Sequence, residues 1–141
     1  MFNISPPFLI GFILIVTQIF ITSTRGFDCS NSDKKLLLIC VGIFFVNLTV
    51  CFLIDVNDRV DLIKLLLFSS TIFVYFLINL LLKKLSIIWQ KEDFSMSLEN
   101  KHEENFGNKL GYSLLDKLFS AVLYLSSFFI TLISASIIFK P

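Results

Sequence analysis

The sequence predicts an all-α, polytopic integral membrane protein: four transmembrane helices in a small bundle, with both termini on the non-cytoplasmic side (N-out/C-out). Three observations predict it. Hydrophobic residues make up 55% of the 141-residue chain, charged residues only 16%, and the mean hydropathy is +0.82. A soluble domain carries roughly 45–50% apolar and about 25% charged residues, and a chain this short has too little interior to hide the excess. The apolar residues also gather into four runs, each near the roughly 20 residues that cross about 30 Å of hydrocarbon as a helix. Finally, the basic residues flank those runs unequally.

The first run covers residues 6–24 (PPFLIGFILIVTQIFITST). Pro6 and Pro7 suit its start, because the first helical turn has no intrahelical partner for its N–H groups. A cleaved signal peptide is the alternative for this segment. No Lys or Arg precedes it, the apolar run exceeds the usual 7–15 residues, and no small-residue cleavage site follows. The second run is 36–54, the third 62–82 and the fourth 118–139, all within one membrane domain spanning 1–141. Charged connectors at 25–35, 55–61 and 83–117 separate them. Runs of this length favour helix over strand despite the many Ile, Val and Phe residues. No segment alternates with period 2 as a barrel strand would.

Orientation follows from the connectors. Those at 25–35 and 83–117 share one side and hold Arg25, Lys34, Lys35, Lys83, Lys84, Lys91, Lys101, Lys109 and Lys117. The other side holds Arg59 and Lys140, with Lys64 at a span end. The positive-inside rule puts the basic side in the cytoplasm and both termini outside. A cell or inner membrane is the expected location.

Helical phase advances about 100° per residue, so positions 3, 4, 7 and 11 apart share a face. Each span then shows a polar line. The first has Gly11, Gln18 and Thr22, and the second has Cys40, Asn47 and Cys51. The third has Lys64, Thr71, Tyr75 and Asn79; the fourth has Ser120, Tyr124, Ser127, Thr131 and Ser134. Polar groups avoid lipid, so these lines are expected to face the bundle interior or a partner and to form the candidate contact stripe. Helix packing is one role for them and a polar path is the other. A cation path would need buried carboxylates, and no span has one. Lys64 lies near a span end, where it can snorkel to the surface.

No enzymatic chemistry is expected. Cys40 and Cys51 share a face but lie 11 residues apart, about 16 Å along a helix, too far for a disulfide. Cys29 sits in a predicted cytoplasmic connector, where thiols stay reduced. His102 stands in a mixed-charge stretch with no second soft ligand beside it, so no metal site is expected. The serines have no nucleophile-elbow motif around them. Asp55, Asp58 and Asp61 lack the alternating spacing of a calcium loop. No cofactor is expected, and a net charge of +1 offers nucleic acid no electrostatic footprint. Trp89 suits the headgroup belt, as if the third helix emerged there. Gly107 and Gly111 break any helix before Leu114.

The segment Lys109-Leu-Gly-Tyr-Ser-Leu-Leu115 resembles a short signature of the cornichon family of cargo-export receptors. That resemblance implies four helices with both termini outside the cytosol. The family's Asn-Leu-Pro segment is replaced here by Ile78-Asn-Leu-Leu-Leu82. In size, Phe/Ile content and Lys-bearing loops the chain is also similar in format to bacterial immunity proteins against pore-forming toxins. Together these features lead us to expect a non-enzymatic four-span protein whose partners are the lipid bilayer and another membrane protein, or a second copy of itself. It would act as an accessory subunit or as an immunity-type protein. The alternatives are a small oligomeric channel or transporter subunit, or a cornichon-like cargo-export receptor.

Overall fold

A computed structural model describes residues 5–24, 33–53, 59–91 and 114–140. Among them 95% are helical and none is in a strand. The elements are α1 (Pro6–Thr24), α2 (Asp33–Leu53), α3 (Arg59–Ser69), α4 (Thr71–Gln90) and α5 (Leu114–Ile138). α3 and α4 together form one 32-residue apolar stretch, giving four helices long and apolar enough to cross a membrane.

Several ends differ from the hydropathy limits. α2 begins at Asp33 rather than 36, and the third span runs from Arg59 to Gln90 rather than 62–82. α5 begins at Leu114 rather than 118. Charged residues end an apolar run without ending a helix, because Asp, Lys and Arg keep their backbone hydrogen bonds on an exposed turn. α4 ends where Lys91 turns left-handed, with φ of 63°, and its N–H still donates to the Ile87 carbonyl. At the start of α1, the Ser5 carbonyl accepts from the N–H groups of Phe8 and Leu9.

The third span breaks at Ser70. Three successive hydroxyls turn back on the preceding turn: Ser69 to the Leu65 carbonyl, Ser70 to Leu67 and Thr71 to Phe68. The Ser70 N–H is shared between the Leu66 and Leu67 carbonyls, and Phe73 N–H closes a tighter turn on the Ser70 carbonyl. Hydroxyl back-bonding of this kind bends helices.

Contacts fix the directions. Gly11 lies against Phe68 and Thr22 meets Tyr75, so α1 runs parallel to α3 and α4. Asp33 pairs with Lys83 while Phe44 packs on Phe73, so α2 runs opposite to α4. Gln90 meets Asp116 at one end and Phe68 packs on Phe139 at the other, making α5 antiparallel to that rod. The bundle is up-down-up-down, and the start of α1 and the end of α5 lie at the same end of it. A Cβ placed on Gly11 would stand 3.4 Å from the Phe68 ring and 3.7 Å from Thr131, so glycine sets how closely three helices approach there.

Candidate functional site

The bundle interior is where the predicted polar lines meet. Gly11, Gln18 and Thr22 of α1 are buried, as is Asn47 of α2. So are Thr71, Tyr75 and Asn79 of α4, and Ser120, Ser127 and Thr131 of α5. Tyr124 and Ser134 are half-buried at the margin. Lys64 is not brought into the interior: its side chain is 35% exposed and faces Asp61, 4.0 Å away on the same helix. Cys40 and Cys51 lie inside with Asn47 and are unpaired thiols. The aliphatic part of the interior comes chiefly from Ile10, Leu14, Leu65, Phe68, Ile72 and Leu123.

Most of the hydroxyls in this interior bond to their own helices or to each other. Thr22 Oγ1 lies 2.6 Å from the Gln18 carbonyl, to which it donates, and it also meets the Tyr75 hydroxyl. The Tyr75 O–H reaches the same Gln18 carbonyl at 3.4 Å. Thr131 bonds the Ser127 carbonyl, and Ser127 bonds that of Tyr124. Nearer the C-terminal end of α1, Ser23 and Tyr124 approach to 3.3 Å. The Tyr75 hydroxyl therefore ties α1 to α4 deep inside, through Thr22 and the Gln18 carbonyl, and the Ser23–Tyr124 contact ties α1 to α5 at the edge.

Gln18, Asn47 and Ser120 behave differently. Neither Nε2 nor Oε1 of Gln18 has a side-chain or backbone partner, and the same holds for both amide atoms of Asn47 and for Ser120 Oγ. All three residues are fully buried.

At the end of the bundle where α1 and α4 finish, α2, α4 and α5 are joined by polar contacts. Lys83 Nζ lies 2.8 Å from Asp33, and Gln90 Nε2 lies 3.3 Å from Asp116 and 3.5 Å from Ser86. Trp89 stacks on Phe119 with ring centroids 5.9 Å apart.

Two buried hydroxyls are missing from the predicted polar lines, Ser69 and Ser86. Ser86 continues the face of Tyr75, Asn79 and Leu82 at helical spacing, but it lies beyond the hydropathy limit at 82. Ser69 belongs to the hydroxyl triplet at the break. Cys29, His102, the Asp55–Asp58 part of the outer connector and the segment resembling cornichons up to Ser113 lie outside the described residues. Among the described residues, no cluster of three or more His, Cys, Asp or Glu side chains could hold a metal ion.

Comparison with protein-family models, curated proteins and solved structures gives no match for this chain. The chemistry of the site therefore rests on its own geometry.

Proposed function

We propose that this chain is a non-enzymatic, multi-pass membrane protein that acts through intramembrane contacts with another membrane protein. The observation that carries this reading is the division between inside and outside. The polar lines are buried against one another, so the surface left for any partner is the apolar exterior. That exterior is uneven. Phe8, Phe12, Val16 and Phe20 recur every four residues along α1 and are all exposed. Phe128 and Phe129 stand exposed on α5, whereas the outer face of α4 presents Val74, Leu77 and Leu81. Between apolar helices in lipid, shape and dispersion supply the attraction, and rigid aromatic rings give large contact area at low entropic cost.

An accessory subunit of a membrane complex and an immunity-type protein both fit this format. The basic residues of the connectors favour an orientation with the α1–α2 and α4–α5 ends in the cytoplasm and both termini outside. A tag after Pro141 should then be accessible from the non-cytoplasmic face of intact cells.

The test is photocrosslinking in native membranes with a benzoylphenylalanine replacing Phe12, Phe20 or Phe128, and Leu77 as the comparison position. A discrete protein adduct from the Phe positions, absent from Leu77, is expected. Differently tagged copies tell self-association from a second protein. Adducts with lipid alone at all four positions would overturn the reading.

A second reading, an oligomeric channel or transporter subunit, draws on one observation, the unpartnered amides of Gln18 and Asn47. Under it, Gln18→Leu or Asn47→Leu abolishes solute flux in proteoliposomes while assembly persists. Under the contact reading the same variants produce no flux phenotype.

A further inference from the structure

We propose that the Gln18 and Asn47 carboxamides form a binding site inside the bundle for a small uncharged molecule that both donates and accepts hydrogen bonds, water being its smallest occupant. The inference is independent of any protein partner.

The two amides lie at similar height. On α2, Asn47 falls between Phe44 and Cys51. Phe44 packs on Phe73, and Cys51 lies beside Ser69. Asn47 is therefore level with the stretch from Ser69 to Phe73. On α1, Gly11 abuts Phe68 and the Gln18 carbonyl meets the Tyr75 hydroxyl. A helical side chain leans toward its own N-terminus, which carries the Gln18 amide back from the level of Tyr75 toward that of Phe73. The two amides thus sit within about one helical turn, ~5.4 Å, of the same height.

Their chemistry defines the occupant. A carboxamide offers two N–H donors and a carbonyl acceptor and carries no charge. Both donor and acceptor atoms of both residues are unmatched by protein groups. In hydrocarbon such groups are costly unless satisfied, and buried polar atoms without protein partners are the usual positions of internal water. An ion is disfavoured, because no Asp, Glu, Lys, Arg or His is buried among the described residues to balance its charge. The nearby hydroxyls of Thr22 and Tyr75 already bond to each other and to the Gln18 carbonyl. The amides are what remains to meet a guest.

The chain contains two glutamines, Gln18 and Gln90, so side-chain ¹⁵N-glutamine labelling yields two NH₂ signals. In the wild-type chain reconstituted into lipid bilayers, solid-state NMR reads through-space magnetisation transfer from water protons to each. The Gln90→Met variant, altered near the bundle end, assigns the Gln18 signal. The expected result is transfer from water to the Gln18 Nε2 protons. ¹³C-urea, an uncharged donor–acceptor of larger size, is the second probe, and a ¹³C–¹⁵N contact replacing the water transfer would show a site that also admits small solutes. Transfer to Gln18 from aliphatic protons alone, with neither probe in contact, would overturn the proposal.

Discussion

Thr22 and Gln18 stand one turn apart on the same buried face of α1, yet they meet the same physical demand in opposite ways. The threonine hydroxyl bends back to the carbonyl four residues earlier and also pairs with Tyr75. The glutamine amide, held farther from its backbone by a longer side chain, bonds to nothing in the protein. Asn47 repeats the second pattern on α2, and Ser127 and Thr131 repeat the first on α5. Most hydroxyls in this bundle carry their own solution with them, because the preceding carbonyls are in reach; the buried Ser120, whose Oγ has no partner, is the exception. A carboxamide depends on what the other helices place before it. Hydroxyls are thus compatible with simple packing, whereas a buried amide calls for a specific neighbour or a guest.

The strongest test of the contrast removes the group that links the two kinds of residue. Tyr75 is among the largest fully buried side chains and lies beside both Thr22 and the Gln18 carbonyl. Tyr75→Ala should destabilise the bundle by about 3–5 kcal/mol, the cost of losing a buried aromatic and leaving a cavity. Reversible unfolding in bicelles measures it. A loss below about 1 kcal/mol would mean that α1 and α4 are not held together at this level.

The amides should respond in the other direction. Gln18→Met and Asn47→Leu each remove a buried polar group that has no protein partner, so stability should be unchanged or should rise by up to about 2 kcal/mol. The same unfolding assay decides. A loss of more than about 1 kcal/mol would show that the amide is held by a partner; with no guest detected at Gln18 that partner is a protein group, and the contrast with Thr22 fails.

Much of this arrangement is legible in the amino-acid sequence. Spans of about 20 apolar residues dictate helices in lipid, and a phase of 100° per residue puts Gln18 with Thr22, and Tyr75 with Asn79, on single faces. Helical phase does not say which polar groups meet. Thr22 and Tyr75 are 53 residues apart along the chain, and their contact depends on how α1 and α4 are docked. The break at Ser70 is also invisible to hydropathy, since Ser69, Ser70 and Thr71 are too few to interrupt an apolar average. Their bonds to Leu65, Leu67 and Phe68 exist only once a helix precedes them. Ser86 is hidden for a different reason: Lys83 and Lys84 end the apolar run while the helix continues to Gln90. Lys64 shares a line with Thr71 and Tyr75 but remains half-exposed beside Asp61, because a charge at a helix end stays hydrated at little cost.

Within the hydroxyl group a finer step separates the inter-helix bond from the local one. Tyr75→Phe keeps the ring and deletes only the hydroxyl, so it should cost about 0.6 kcal/mol, the typical strength of a hydrogen bond between membrane helices. Thr22 would keep its bond to the Gln18 carbonyl, and no buried donor would be stranded.

The smallest effect is expected at Thr22 itself. Thr22→Val preserves the branched shape and removes one hydroxyl that serves two partners, its own helix and Tyr75. Loss of the local bond is nearly neutral, because the Gln18 carbonyl keeps its place in the helical ladder and the Tyr75 O–H still reaches it. What remains is the Thr22–Tyr75 term, so Thr22→Val should cost no more than Tyr75→Phe. Combining the two substitutions should add almost nothing to the larger single cost. A double-mutant cycle reads this as a coupling of about 0.6 kcal/mol. Strict additivity would place the helix-to-helix bond elsewhere and leave Thr22 as a purely local donor. The contrast with Gln18 would then rest on side-chain length alone, with no part played by the docking of α1 on α4.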